Sequence, residues 1–505
     1  MCRLPVRVGT LCLAVGFAAG VGCSPATDVN SNGNAGRVAT GASGENPPLI
    51  DPPFLCSADG KLAVELEAAP GAFEIAGQRC DGMLYDGAYI PPVWRVRPGD
   101  TLTVALRNRL PEVTNLHFHG MHVSPRGDSD NIFLRIHPGE SFSYRVEIPP
   151  SHPPGLFWYH PHAHGRTSPQ ILGGMSGGIV VEGSDRFYPL LRNLKERVML
   201  LKHIPHPTQP RQEVVTLNGL VAPTIAIRPG EVQYWRVANI GANLFLKLKL
   251  EGMALYLIGT DGHYLQRAKK VDDVLLSPAS RIEALVVGGP PGRYVLKSLP
   301  FQDEQGKPAQ PERLLGVAVS DGPGVADPAD AEATVGRQRA DGPRHSEELR
   351  AAPIARRRTM TYTRNADETK FFINGKTFDP DRTDVTVTLG DVEEWTIRNE
   401  DTQLHNFHIH QTPFLVTEVN GVPAAPDSLY DTFAVPMAEK GKPGEIKVVI
   451  PFTDPTIVGR FVWHCHMAKH EDKGMMQTVE VVRPGQAPDG PKGGAADRHE
   501  HGSRP

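Results

Sequence analysis

Two repeated patterns and a weak helical signal predict an all-β chain of three consecutive antiparallel sandwich domains. The first pattern is Gly-acid, a strand, then Asn, and it recurs as Gly99–Asn108, Gly230–Asn239 and Gly390–Asn399 with the same nine-residue separation. The second is a strand read as Gly155-Leu-Phe-Trp-Tyr-His160-Pro-His162, Gly292-Arg-Tyr-Val-Leu-Lys297-Ser-Leu299 and Gly459-Arg-Phe-Val-Trp-His464-Cys-His466. Internal similarity of this kind marks copies of one structural unit. Short alternating runs such as Thr101–Leu106 suit half-buried strands, and 51 Gly with 47 Pro supply turns. At 505 residues the length suits three domains of ordinary size.

From the N-terminus, Arg3 and Arg7 precede an apolar run from Val8 to Val21 that is short for a membrane span. Residues 1–23 read as a secretion signal, followed by a Ser, Asn and Gly-rich tether over 24–55. The ending Gly20-Val21-Gly22-Cys23 resembles a bacterial lipoprotein signal in which Cys23 becomes acylated, with simple cleavage as the alternative. Export to the periplasm or outer membrane would follow, the membrane being reached only through that lipid. Cys2 and Cys12 would be removed, leaving Cys56 and Cys80 as the pair for a disulfide in an oxidising compartment.

The first sandwich is expected over 56–185 and the second over 186–322. Residues 323–357, rich in Ala, Asp, Arg and Pro, read as a surface linker. The third sandwich spans 358–484, and 485–505 read as a disordered tail. A net charge of −4 and the lack of a basic, aromatic-studded groove argue against nucleic acid as a partner.

The chemistry sits at repeat-related positions. Nine and eleven residues beyond the three Asn residues lie His117 and His119, Leu248 and Leu250, and His408 and His410. The second strand adds His160 and His162 in the first copy and His464 and His466 in the third. Eight histidines of the outer copies suffice for a three-metal cluster between them, while the middle copy has lost all four. Strand side chains alternate between faces, so Cys465 points away from His464 and His466. Cys465, His470 and Met475, with His405 from the preceding repeat position, form a soft three-ligand set with a weak axial thioether, which selects copper.

In order, His117-Phe-His119-Gly, His160-Pro-His162, His405-Asn-Phe-His408-Ile-His410 and the His464-to-Met475 run resemble the four copper signatures of three-domain multicopper oxidases, over roughly residues 56–484. Asn406 stands where that family usually has proline. The resemblance implies cupredoxin-like Greek-key sandwiches and four copper ions. His405, Cys465, His470 and axial Met475 would hold the type 1 ion, and His117 and His408 the type 2 ion. His119, His160 and His466 would hold one type 3 ion, and His162, His410 and His464 the other.

It further implies four one-electron oxidations of a donor coupled to reduction of O2 to two waters. Glu471 occupies the place of a proton-relaying carboxylate. Asp128 and Asp130 compete for a second such role near the type 2 ion, with Asp128 preferred. His122 and His164 read as neighbours of ligands. A laccase-like oxidation of phenols or aromatic amines is expected, and oxidation of Cu(I) for copper tolerance is the alternative. A non-catalytic scaffold of the same fold is disfavoured, since no ligand position is vacant. Between His410 and His464 the only methionine is Met437, which favours organic donors. Loops over Gln411–Glu445 are expected to wall the donor pocket, with Asp427 and Asp431 as contacts. A monomer is expected.

Overall fold

The asparagine ending each repeated strand closes the turn behind it. Asn108 Nδ2 donates to the Glu112 and Ile136 carbonyls, both at 2.8 Å. Asn239 Nδ2 bonds the Leu244 carbonyl at 2.8 Å, and Asn399 Nδ2 bonds those of Gln403 and Pro436 at 2.8 and 2.9 Å. A short amide that can satisfy backbone groups locally is what such a turn requires. The glycines opening the pattern have φ of 95°, 71° and 104° at Gly99, Gly230 and Gly390. That is left-handed backbone, where a side chain would be strained.

The computed structural model describes residues 46–206, 209–341, 345–424 and 428–488. Cys23 and Asp427 lie outside these residues. Six sheets pair into three sandwiches. In the first, a five-stranded sheet ending in Gly155–His160 and His117–His119 packs on a four-stranded sheet containing Thr101–Asn108. The middle and third sandwiches each pair a six-stranded with a five-stranded sheet. Apolar clusters fill each sandwich, including Trp94 with Tyr159 in the first, Trp235 in the second and Trp395 with Trp463 in the third.

The histidine strands share one register. His117 faces His160 across the first sandwich's sheet, and His408 faces His464 in the third. In the middle copy the register is offset, with Leu248 opposite Ser298 and Lys249 opposite Lys297. The middle copy thus lacks both the histidines and the register that sets them side by side in the outer copies.

Three sequence expectations are corrected. Residues 46–55 are not free tether: Leu49 pairs with Thr224, Asp51 bonds Arg197 at 2.8 Å, and Phe54–Cys56 adds a parallel strand to Val93–Val96. The linker contains two helices, Pro328–Gly336 and His345–Ala351, the first capped by Asp327 accepting from the Ala329 amide. Val335 and Leu349 anchor them in apolar clusters. The Cys56–Cys80 disulfide is not formed, because Cys80 is a free thiol. Cys56 pairs with Arg95 in one sheet of the sandwich, whereas Cys80, opposite Phe73 in the other sheet, packs on the cluster that includes Ile204 of the middle sandwich.

Candidate metal centres

Cys465 follows the strand Gly459–His464, and its amide is held by the Met475 carbonyl at 3.2 Å. Its Sγ lies 3.5 Å from His405 Nδ1 and 3.7 Å from His470 Nδ1, and those nitrogens are 3.1 Å apart. The four-residue helix Ala468–Glu471 carries His470 back toward the sulfur, and Met475 is fully buried in the same core. Burial pushes the Cys465 thiol up to about 12, so a thiolate here needs a bound cation. Asn406, whose role the sequence did not reveal, bridges the sulfur and the Pro278 carbonyl of the middle sandwich, each at 3.3 Å.

His464, the last residue of that strand, and His466, in the bend just beyond it, face away from the sulfur toward the other histidines. His464 Nε2 is 3.2 Å from both His162 Nε2 and His410 Nε2, and His466 Nε2 is 3.2 Å from His119 Nδ1. The donor atoms of His162, His410 and His464 lie within 4.8 Å of one another, as do those of His119, His160 and His466, and those of His117, His119 and His408. Adjacent nitrogens of a tetrahedral site with bonds of about 2.0 Å would be about 3.3 Å apart. Burial, and then neighbouring imidazoles, hold His117, His160, His162, His410, His464 and His466 well below the usual histidine range, so their rings are neutral.

Three rings show which nitrogen is offered. Nδ1 of His117, His160 and His408 bonds Asp130, the Pro161 carbonyl and the Asp431 carbonyl at 2.9, 2.9 and 2.7 Å. Each Nε2 is buried with no hydrogen-bond partner. Orphaned imidazole nitrogens converging in a buried space, beside a thiol and two more imidazoles, fit copper's donor preferences.

The carboxylates sort differently from the sequence expectation. Asp128 is exposed and offers only its backbone carbonyl, to the Arg145 amide at 2.8 Å. Asp130 is buried, bonds His117, and accepts from the Phe118 amide at 3.0 Å and Gln411 Nε2 at 2.6 Å. Burial raises it to about 7. The preference for Asp128 is therefore overturned: with residue 129 turned inward beside Asp130, strand alternation does not extend into this loop.

Glu471 is fully buried, with its oxygens 3.5 Å from His162 Nδ1 and 3.4 Å from His464 Nδ1. Thr167 donates to it at 2.8 Å, and burial raises it well above the usual carboxylate range. Asp431 and Gln411 wall no donor pocket, since Asp431 sits 3.4 Å from His119 Nε2 and Gln411 reaches Asp130. His122 makes tilted ring contacts with His152 and His263, and His164 lies against Phe378, outside the ligand groups.

Family models described as multicopper oxidase match residues 352–485, 68–186 and 192–316, one for each sandwich. The chain is 26% identical over 416 residues to the multicopper oxidase mco of Staphylococcus haemolyticus, covering 79% of this chain and 83% of that protein. It is 22% identical over 477 residues to the multicopper oxidase MmcO of Mycobacterium tuberculosis, covering 83% and 87%. Its fold is similar to that of a multicopper oxidase from Campylobacter jejuni, a metallo-oxidase, with TM-score 0.72, 25% identity and coverage of 87% and 96%. McoA of Aquifex aeolicus gives TM-score 0.71 at 22% identity, covering 86% and 99%. Three matched sandwiches, with a sulfur-containing site in the third and a histidine cluster between the outer two, carry the conclusion: the chain belongs to the multicopper oxidase family, copper oxidoreductases that pass electrons from a reducing donor to O2.

Proposed function

We propose a laccase-like oxidase that takes single electrons from phenols or aromatic amines at a type 1 copper, which His405, Cys465, His470 and Met475 would hold. The eight other histidines would hold the type 2 ion (His117, His408) and the type 3 pair (His119, His160, His466; His162, His410, His464). One observation carries the reading. Cys465 faces His405 and His470, while its chain neighbours His464 and His466 face the other histidines. Consecutive residues thus join electron entry to electron use.

Copper supplies one-electron redox chemistry at the sulfur and O2 reduction at the histidine cluster. The protein supplies the rest. Asp130 and the carbonyls of Pro161 and Asp431 fix three tautomers, directing each Nε2 lone pair inward. Glu471 stands against the rings of His162 and His464, a carboxyl that can take up and release a proton beside the cluster. Export by the N-terminal signal, with Cys23 as lipid anchor, remains part of this proposal.

A second reading, oxidation of Cu(I) or another metal ion, has its own observation. His405 Nε2 is hydrogen-bonded to Asp401 at 3.0 Å, and Arg364 ties Asp401 to Glu304 and Glu368 at 2.9 and 3.1 Å. Carboxylates at the point of electron entry suit a cationic donor, and the similar Campylobacter protein is a metallo-oxidase. Oxygen uptake by copper-loaded protein, with a phenol, an aromatic diamine and Cu(I) offered in parallel, separates the two. Turnover of the organic donors above that of Cu(I) is expected; saturable Cu(I) oxidation without phenol turnover would replace the first reading with the second.

A further inference from the structure

The middle sandwich holds none of the proposed copper ligands, yet it sends one side chain to the histidine cluster. Arg281, first residue of the strand Arg281–Val287, is fully buried. Its Nη1 and Nη2 donate to the two carboxylate oxygens of Asp431 in the third sandwich, each at 2.7 Å. Its Nε donates to the Leu156 carbonyl of the first sandwich at 3.0 Å. One guanidinium therefore meets all three repeats at a single point. Asp261, also from the middle sandwich, accepts the Arg281 amide at 2.8 Å and faces the amides of Asp431 and Thr432, both at 3.3 Å.

Asp431 connects this point to the cluster. Its carbonyl accepts from His408 Nδ1 at 2.7 Å, and its Oδ1 lies 3.4 Å from His119 Nε2. Thr432 Oγ1 donates to Asp431 Oδ1 at 3.0 Å and sits 3.2 Å from His408 Nδ1. Both histidines, one from each outer sandwich, thus rest against one aspartate. Gly120, at φ 78°, closes the other side: a Cβ there would come within 2.5 Å of both Arg281 Nη2 and Asp431 Oδ2. A guanidinium fork fixes a carboxylate's plane as well as its position, which a lysine's single point of charge does not.

We infer that Arg281 is a positioning residue of the trinuclear cluster, acting through Asp431 on the ring orientations of His408 and His119. The copper-free middle sandwich is then part of the cluster's scaffold and more than a spacer. The inference rests on the ligand assignment proposed above. Without the guanidinium, Asp431 and Asp261 would be adjacent buried carboxylates with no cation between them, and the Asp431 backbone would lose its fixed plane.

The test compares Arg281→Met, Arg281→Lys and a control, Glu283→Gln, by copper content and the type 2 electron paramagnetic resonance signal. The blue absorption of the Cys465 site serves as internal reference. Glu283 makes a separate contact between the first and middle sandwiches, accepting from the Leu156 amide at 2.9 Å and from Arg236 at 2.8 Å, and it touches no cluster histidine. Arg281→Met should keep the blue band and lose most of the remaining copper. Arg281→Lys should load fully but shift the type 2 hyperfine splitting, and this shift decides the matter if Arg281→Met does not fold. Glu283→Gln should retain full copper and the wild-type signal.

Wild-type copper and an unshifted signal in the Arg281 variants would overturn the inference. So would an equal loss in Glu283→Gln, which would make Arg281 a docking contact only. His408→Ala distinguishes a failure of the underlying assignment: a retained type 2 signal in that variant would overturn the ligand set itself.

Discussion

Replacing Cys465 with serine is expected to abolish both the blue absorption and donor-driven oxygen uptake, while the histidine cluster still takes up copper. Serine's hard oxygen is a poor substitute for a soft thiolate at a site whose other strong donors are His405 and His470. The residue is fully buried among Tyr362, Phe371, Trp463 and Met475. The smaller side chain also leaves a small void and a hydroxyl in apolar surroundings, so a modest loss of thermal stability should accompany the spectral change. Absorption spectra and metal analysis of the same sample check this. A persistent blue band would contradict the type 1 assignment.

Glu471→Gln is expected to slow the oxygen half-reaction about ten-fold or more, in the range for losing a positioned acid. Anaerobic reduction by the donor should stay near wild type. Glutamine keeps the shape and can still accept from Thr167, which donates at 2.8 Å. What it loses is a carboxyl able to hold and release a proton beside His162 and His464, 3.5 and 3.4 Å away. Stopped-flow reduction and reoxidation of variant protein with matched copper content separate the two halves. Normal reoxidation with slow anaerobic reduction would assign Glu471 to the donor side instead.

The histidine geometry was legible in the sequence because it is written twice at the same spacing. Asn108 and Asn399 close equivalent turns, so nine residues later His117 and His408 enter their sheets in matching register against His160 and His464. The alternating pattern carries on past the strand end at His464, so Cys465 faces away from its two neighbours. Where alternation ends, so does legibility. Asp128 and Asp130 lie in a loop, and only packing put Asp130 on His117 and left Asp128 exposed.

Long-range partners left no local signal. Arg281 and Asp431 are 150 positions apart, and nothing in the sequence around either one names the other. Asp401 is an exception in retrospect, four residues before His405 and hydrogen-bonded to it. The Cys56–Cys80 pairing failed for a related reason. Counting cysteines identifies available thiols, but which sheet each strand joins is decided by tertiary pairing.

The most direct test of two centres served by one strand, with a middle sandwich that binds no metal, is the copper content of fully loaded protein after removal of weakly held ions. Leu248, Leu250, Lys297 and Leu299 stand where the outer copies have histidines, and the middle register is offset so that Leu248 meets Ser298. Four copper ions per chain are predicted, one of them lost in Cys465→Ser together with the blue band. Five or more tightly bound ions, or a wild-type protein saturating at one, would contradict the account.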